Sequence, residues 1–221
     1  MHETLALLSA SGACLATTET ECRGRDNHEK LAERVSHSFT ESEIIAMQIL
    51  VTGKQMKQLD QSTIKQMGIP SLVLMERAAL AVFDCLKQHF PLKKTLVVCG
   101  SGNNGADGVA VARLLHLAGY PVDLYLAGNH TSFTEEMNIQ WQAAKNYQVS
   151  IVNNCRFSEY TTIVDALFGV GLSRELSGKY QALAEKINAS GIPVLAVDIP
   201  SGIHAGTGQV MGTAIRATET V

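Results

Sequence analysis

The stretch Val97-Val-Cys-Gly100-Ser-Gly-Asn-Asn-Gly-Ala-Asp-Gly108 constrains the fold of this 221-residue chain more than any other. An apolar run, Thr95 to Cys99, passes directly into Gly100, Gly102 and Gly105, which have the G-x-G-x-x-G spacing, and then into a helical pattern from Gly108 to Leu117. Glycines at such a junction let the backbone turn tightly between a strand and a helix and aim N–H groups at an anionic ligand. A tight turn that binds nothing would use the same residues, but a strand before and a helix after favour binding.

The pattern on either side agrees. Short β-rich runs at Val122 to Leu126, Val149 to Val152, Thr162 to Leu167 and Pro193 to Ile199 read as strands. Between them Phe133 to Tyr147, with a capping box at Ser132 and Glu135, and Ser177 to Ala189 read as helices. Upstream, Thr52-Gly-Lys-Gln55 opens a helix with Met56, Leu59, Ile64 and Met67 near one face, ended by Gly68-Ile-Pro70. Ser71 to Phe90 is a second helix, apolar nearly all round and so expected to be deeply buried, and Pro91 closes it. Strands alternating with helices predict an α/β fold, a parallel sheet covered on both faces.

Charge sets the domain boundary. Residues 1–46 hold four bases and eight acids, whereas residues 47–221 hold 14 bases and 13 acids. The first segment lacks periodicity and is expected to be a weakly ordered extension with at most a short helix around Asn27 to Val35. Met47 begins the folded unit. A net charge of −3 gives no footprint for nucleic acid. No apolar run reaches the roughly 18–20 residues of a membrane span, and no base precedes Leu5 to Leu8 to make a signal peptide. The five cysteines form no CxxC, which points to free thiols in a reducing cytoplasm, with Cys85 and Cys99 as small core residues.

Two more strand ends carry acids. Asp165 lies in Ile163-Val-Asp-Ala-Leu-Phe-Gly-Val-Gly-Leu-Ser-Arg174, and Asp198 in Val197-Asp-Ile-Pro-Ser-Gly202. In a parallel sheet the carboxyl ends of the strands open on one edge, so these loops and the glycine turn should converge. Each residue also has a plainer role: Asp107 as cap of a helix starting at Gly108, Asp198 as a turn acid, Arg174 as a solvated charge, Asp165 as a hydrogen-bonded structural acid. His89, His116, His130 and His204 read as solvated or capping groups. A conventional dinucleotide fold places an acid at the end of its second strand, on the ribose. Here that end reads Ala127-Gly-Asn-His130, and Asp123 stands at the strand's start, which counts against an NAD-dependent dehydrogenase.

Taken in order, V-V-C-G-S-G-N-N-G-A-D-G, V-D-A-L-F-G-V-G-L-S-R and V-D-I-P-S-G-I-H-A-G-T-G resemble the YjeF N-terminal domain family, the NAD(P)H-hydrate epimerases. The segments V-T-G-K-Q-M-K-Q-L-D and P-S-L-V-L-M-E-R-A-A resemble that family's first two helices, so the likeness spans about residues 47–221. It implies a three-layer α/β/α Rossmann-like fold, a substrate that is hydrated NADH or NADPH (NADHX, NADPHX), and interconversion of its R and S epimers. It also implies a bound potassium ion held by Asn104, Asp165 and Ser201. Substrate would be contacted by Asn103, Asn104, Gly105, Ala106, Asp107, Gly169, Val170, Gly171, Leu172, Ser173, Arg174, Glu175 and Asp198.

Departures from the family pattern are a glycine replaced by Ala106, which would strain a loop needing positive φ, and an end at Val221 where relatives continue through a further strand. No fused dehydratase domain is expected in this chain, and a homodimer is an open expectation. For the chemistry, a carboxyl group would protonate a leaving hydroxyl, with Asp165 ranked first and Asp198 second. The competing reading is a non-catalytic nucleotide-binding or scaffold module of the same fold.

Overall fold

The computed structural model describes residues 6–7 and 50–221. The boundary at 46/47 and the helix expected around Asn27 to Val35 lie outside the described residues, and Thr52–Val221 pack as one compact unit. Two-residue strands Ala6–Leu7 (β1) and Leu50–Val51 (β2) lie outside the main sheet.

Helix α1 (Gly53–Lys65) begins at the expected capping box: the Gln55 N–H donates to Thr52 Oγ1 at 3.3 Å, and the Thr52 N–H donates to Gln55 Oε1 at 2.9 Å. Its apolar face is not buried, however; Leu59 is 46% exposed and Met67 beyond it 70%. Helix α2 (Ser71–His89) departs from the expectation of all-round burial. Only Met75, Ala79, Val82 and Leu86 are buried, at spacings of four, three and four, while Val73 and Leu80 are exposed. One stripe of the helix meets the core, against α3, and an apolar sequence cannot specify that its other sides stay open.

The main sheet has the order β5-β4-β3-β6-β7-β8, parallel throughout, from β3 (Thr95–Cys99), β4 (Val122–Leu126), β5 (Ser150–Val152), β6 (Thr162–Ala166), β7 (Val194–Ala196) and β8 (Glu219–Thr220). Helices α3 (Asn103–Leu117), α4 (Glu135–Asn146) and α5 (Gly178–Ala189) connect the strands. All five residues of β3 are buried. Val97 and Cys99 join Val109, Leu115 and Trp141 in one core, and Leu96 and Val98 join Ile163 and Ile187 in the other. Side chains alternate across a strand, so a run apolar at every position requires a layer on each face. Among the described residues no helix is long and apolar enough to cross a membrane.

Two predicted helix starts shift. Helix α4 is capped by Thr134, whose Oγ1 accepts from the Met137 N–H at 3.3 Å, so the box expected at Ser132 does not form. Helix α3 begins at Asn103, five residues before the expected Gly108, with Gly102 as its cap and the Ala106 N–H donating to Gly102 O at 3.0 Å. Asn103 to Asp107 are therefore the first turn of a helix, and Asp107 does not cap one. Ala106 is fully buried in that helix and has no positive φ, so the strain expected of its methyl group does not arise.

The glycines of the turn divide by function. A Cβ on Gly100 would overlap Leu167 O, one on Gly105 would overlap Gly100 O, and one on Gly108 would overlap the Ala166 methyl and Cys99 Sγ. Gly102 faces open space. Gly105→Ala is thus expected to cost about 1–3 kcal/mol in a urea titration, because the obstructing atom is backbone. Gly102→Ala should change stability by less than about 0.5 kcal/mol. Equal costs for the two would contradict this division.

Candidate functional site

The strand ends are aligned by register, with Cys99 opposite both Leu126 and Ala166, and Asp165 opposite both Val98 and Ala196. The order in which successive strands are added reverses between β3 and β6, which run parallel: β4 and β5 follow β3 outward on one side, and β7 and β8 follow β6 on the other. That reversal opens a crevice at the strands' carboxyl ends, where open α/β sheets bind their ligands. The first turn of α3, the 167–177 loop and the 197–202 turn meet there.

Asn104 sits in this crevice with the polar atoms of its side chain buried, and neither Oδ1 nor Nδ2 has a hydrogen-bond partner among the described residues. A Cβ on Gly169 would overlap Asp198 Oδ2 and come within 3.2 Å of Asn104 Cγ, which places the Gly169 backbone against both side chains. A buried amide left unpaired costs about 1–3 kcal/mol, which a bound ligand or ion accepting or donating there would offset.

The three acids occupy different surroundings. Asp165 is wholly buried, and its carboxylate accepts from the Ser201 hydroxyl at 2.7 Å (Oδ1), the Leu167 N–H at 3.2 Å (Oδ1) and the Ser201 N–H at 2.8 Å (Oδ2). Burial raises its pKa to about 6 although all three donors pull the other way. Ser201 Oγ also accepts from the Phe168 N–H at 2.9 Å, so Asp165 ties the 167–169 and 199–202 turns together. Asp198 stands at the open mouth, with its backbone in the left-handed region at φ +70° and its Oδ2 accepting from the Val170 N–H at 2.7 Å. Partial loss of solvent raises its pKa, the Val170 N–H opposes this, and the charge of Asp60 adds to it.

Asp107, on the first turn of α3, has a pKa raised to about 8 by burial and then by the charges of Asp198 and Asp60. Asp60 itself is raised by partial burial. Three carboxyl groups from α1, α3 and the β7 turn therefore share one field. Sequence reading found Asp107 and Asp198 but missed Asp60, whose only signal was its place at the end of the V-T-G-K-Q-M-K-Q-L-D segment.

Of the 169–175 loop, Gly169 is buried at the crevice and Val170 is bonded to Asp198, while Leu172, Arg174 and Glu175 line an adjoining cavity of 280 Å³ with Phe168, Lys179 and Tyr180. Gly171 and Ser173 are exposed beside it. Phe168 and Tyr180 pack edge to face at 4.9 Å, and Lys179 Nζ lies 5.0 Å from the Tyr180 ring centre. Lys179 was also missed, because its position on α5 gave no sequence reason to bring it beside Arg174. Asp123 is structural, as its place at a strand start implied: it pairs with Lys94 at 3.0 Å and accepts from the Tyr160 hydroxyl at 2.8 Å.

Against this geometry the likenesses to known proteins are consistent. The chain is 50% identical over 176 residues to a protein of Oenococcus oeni named NAD(P)H-hydrate epimerase, covering 78% of this chain and 84% of that one. Proteins of the same name from Weissella koreensis (50% identity; 77% and 78% covered) and Limosilactobacillus reuteri (49%; 78% and 82% covered) are similarly related. The crystal structure of yeast ynu0, YNL200c, superimposes with a TM-score of 0.68 at 25% identity, covering 77% of this chain and 78% of that one. Residues 71–221 match the model of the family described as YjeF-related protein N-terminus, and with half of its aligned residues shared with such relatives this α/β chain belongs to that family.

Proposed function

We propose that this chain is an NAD(P)H-hydrate epimerase, an isomerase that interconverts the R and S forms of hydrated NADH and NADPH. The observation that carries the reading is Asn104: a buried amide without partners among the described residues, set among carboxylates at the switch point of the sheet. A scaffold module that binds no ligand would have no need to keep that cost, and a non-catalytic nucleotide-binding module is separated from the enzyme by assay of epimer exchange.

In the hydrated cofactor the reactive carbon carries a hydroxyl beside a ring nitrogen. Protonating that hydroxyl lets it leave as water, and the nitrogen lone pair stabilises the resulting iminium-type cation. Water returning on the opposite face inverts the centre. The protein must supply a proton to oxygen, negative charge to the cation and a place for water. Asp198 at the crevice mouth is placed to exchange the proton. Asp107, held protonated near neutral pH, shares its field and keeps a proton in the cluster. The order of the two candidate acids is thereby reversed: Asp165, sealed from solvent, acts by positioning the Ser201 and Phe168 turns. Arg174 and Lys179 line the adjoining cavity and suit the anionic phosphates of the substrate.

Potassium fits the donor set. Asn104 Oδ1 is unpaired, and Asp165 and Ser201 add carboxylate and hydroxyl oxygens, the donors a large hard cation prefers. When bound, the ion would supply positive charge where carboxyl groups converge.

The test is exchange between the epimers, followed by chiral separation, with the full-length protein in potassium and in an organic-cation buffer. Catalysed exchange that falls without potassium supports both parts of the reading. No acceleration over the spontaneous rate in either buffer would leave the scaffold reading in its place. Arg174→Ala is expected to raise KM by about tenfold with kcat little changed, since a phosphate contact is made equally in ground and transition states. A fall in kcat alone would move Arg174 into the chemistry.

A further inference from the structure

A second cluster of donors lies outside the crevice. Cys85 and His89 stand one turn apart at the end of α2, and Glu219 reaches them from β8, 130 residues beyond His89 in the chain. His89 Nδ1 is 2.8 Å from Glu219 Oε2 and 3.9 Å from Cys85 Sγ, and one ligand atom from each residue lies within 4.8 Å of the other two. Cys85 packs partly buried against the core and His89 is exposed, as the sequence led one to expect, but no local pattern shows that Glu219 joins them. Cys85 is half-buried, and the His89 and Glu219 side chains are 53% and 36% exposed.

We propose that Cys85, His89 and Glu219 form a binding site for one zinc-class divalent cation. A thiolate, an imidazole nitrogen and a carboxylate are the three donor types that zinc takes, with metal–ligand distances of about 2.3 Å to sulfur and 2.0–2.2 Å to nitrogen and oxygen. In a tetrahedral site those distances place the ligand atoms roughly 3.3–3.6 Å apart. From His89 Nδ1 the sulfur must close and the carboxylate open by well under an ångström, and the sulfur and carboxylate, within 4.8 Å of each other, must close by up to about an ångström, within the reach of side-chain rotation. The exposed sides of His89 and Glu219 leave an entry path and a fourth position for water. Calcium and magnesium are disfavoured, because they avoid sulfur and imidazole.

Binding displaces protons. The Cys85 thiol, kept protonated by burial and by the neighbouring Glu219 charge, loses its proton to solvent as the metal–sulfur bond forms. Any proton on His89 Nδ1 passes to Nε2 or to solvent as the metal–nitrogen bond forms. The metal would clamp β8 to α2. The chain at that strand's end also supports the crevice, since the Asp198 N–H donates to Val221 O at 2.7 Å and the Val221 N–H to Ala196 O at 3.0 Å. Steadying the left-handed backbone of Asp198 is the consequence for the neighbouring site.

The experiment titrates the full chain with Co²⁺ and follows the near-ultraviolet thiolate-to-cobalt charge-transfer band, then displaces the cobalt with Zn²⁺. One equivalent should produce the band, Zn²⁺ should abolish it, and Cys85→Ser should lack it, while Cys155→Ser and Cys14→Ser/Cys22→Ser keep it. His89→Gln and Glu219→Gln should weaken Zn²⁺ by more than the roughly 10–100-fold that attends loss of an outer-sphere partner. Zn²⁺ should raise the melting temperature of the parent and not that of Cys85→Ser, which itself should melt as the metal-free parent does. Absence of the band in the parent, or its persistence in Cys85→Ser, overturns the site.

Discussion

Asp198→Asn is expected to slow epimer exchange by about 10²–10⁴-fold, the range general acid–base groups contribute, with the fold intact. The substitution isolates the proton. Asp198 has φ +70°, and asparagine is among the few residues other than glycine that tolerate the left-handed region, so the backbone of the turn need not move. The amide oxygen can still accept the Val170 N–H that Asp198 Oδ2 now accepts at 2.7 Å. What disappears is the titratable oxygen and its charge. Chiral separation of the epimers over time measures the rate, and a urea titration should place stability within about 1 kcal/mol of the parent. An unaltered exchange rate would remove Asp198 from the chemistry and return attention to Asp107.

Asp165→Ala should have the largest effect on stability of any single change at the crevice, about 3–5 kcal/mol. Three donors lose their acceptor at once: the Ser201 hydroxyl, the Ser201 N–H and the Leu167 N–H. All lie at a position with no exposure, where water cannot replace the lost carboxylate without a new cavity. Against a total of about 5–15 kcal/mol for a domain of this size, the loss brings the protein near its unfolding threshold. Asp165→Asn, which keeps one acceptor oxygen, should lose less. Denaturant midpoints at equal slope decide the matter. If Asp165→Ala unfolds within about 1 kcal/mol of the parent, the carboxylate does not hold the two turns together, and a direct catalytic role regains force.

Several elements were legible in sequence because their signals are local. A glycine turn between an apolar run and a helix, a capping box at Thr52 and Gln55, and acids placed at the ends of β-rich runs are written in consecutive residues. They sufficed for the parallel sheet, for the edge where its loops meet and for Asn103 to Asp107 as a group. That the amide of Asn104 is left unpaired is something no local pattern reveals. The start of α3 was misplaced because glycine at 105 and 108 argues against a helix by propensity. Packing overrules it: each of those glycines is required where α3 presses on Gly100 O and on the Ala166 methyl.

The distinction between Asp165 and Asp198 lay beyond sequence for a related reason. Both are carboxylates in an apolar strand context, one strand apart. Whether a carboxylate is sealed under a turn or left at a mouth depends on how the 199–202 turn folds back, through Ser201, onto a residue 36 positions earlier. Asp60, Lys179 and Glu219 reach their neighbours from helices and strands whose mutual placement no local pattern records. What the sequence determined by itself was the succession of elements and the inventory of acids at strand ends, because backbone sterics and hydrophobic periodicity act between near neighbours, and the family, through the likeness of its three ordered motifs. Only the tertiary structure decided which acid meets solvent, which amide is left unpaired and which cysteine meets a histidine and a glutamate, because burial and electrostatic fields are set by residues distant in the chain.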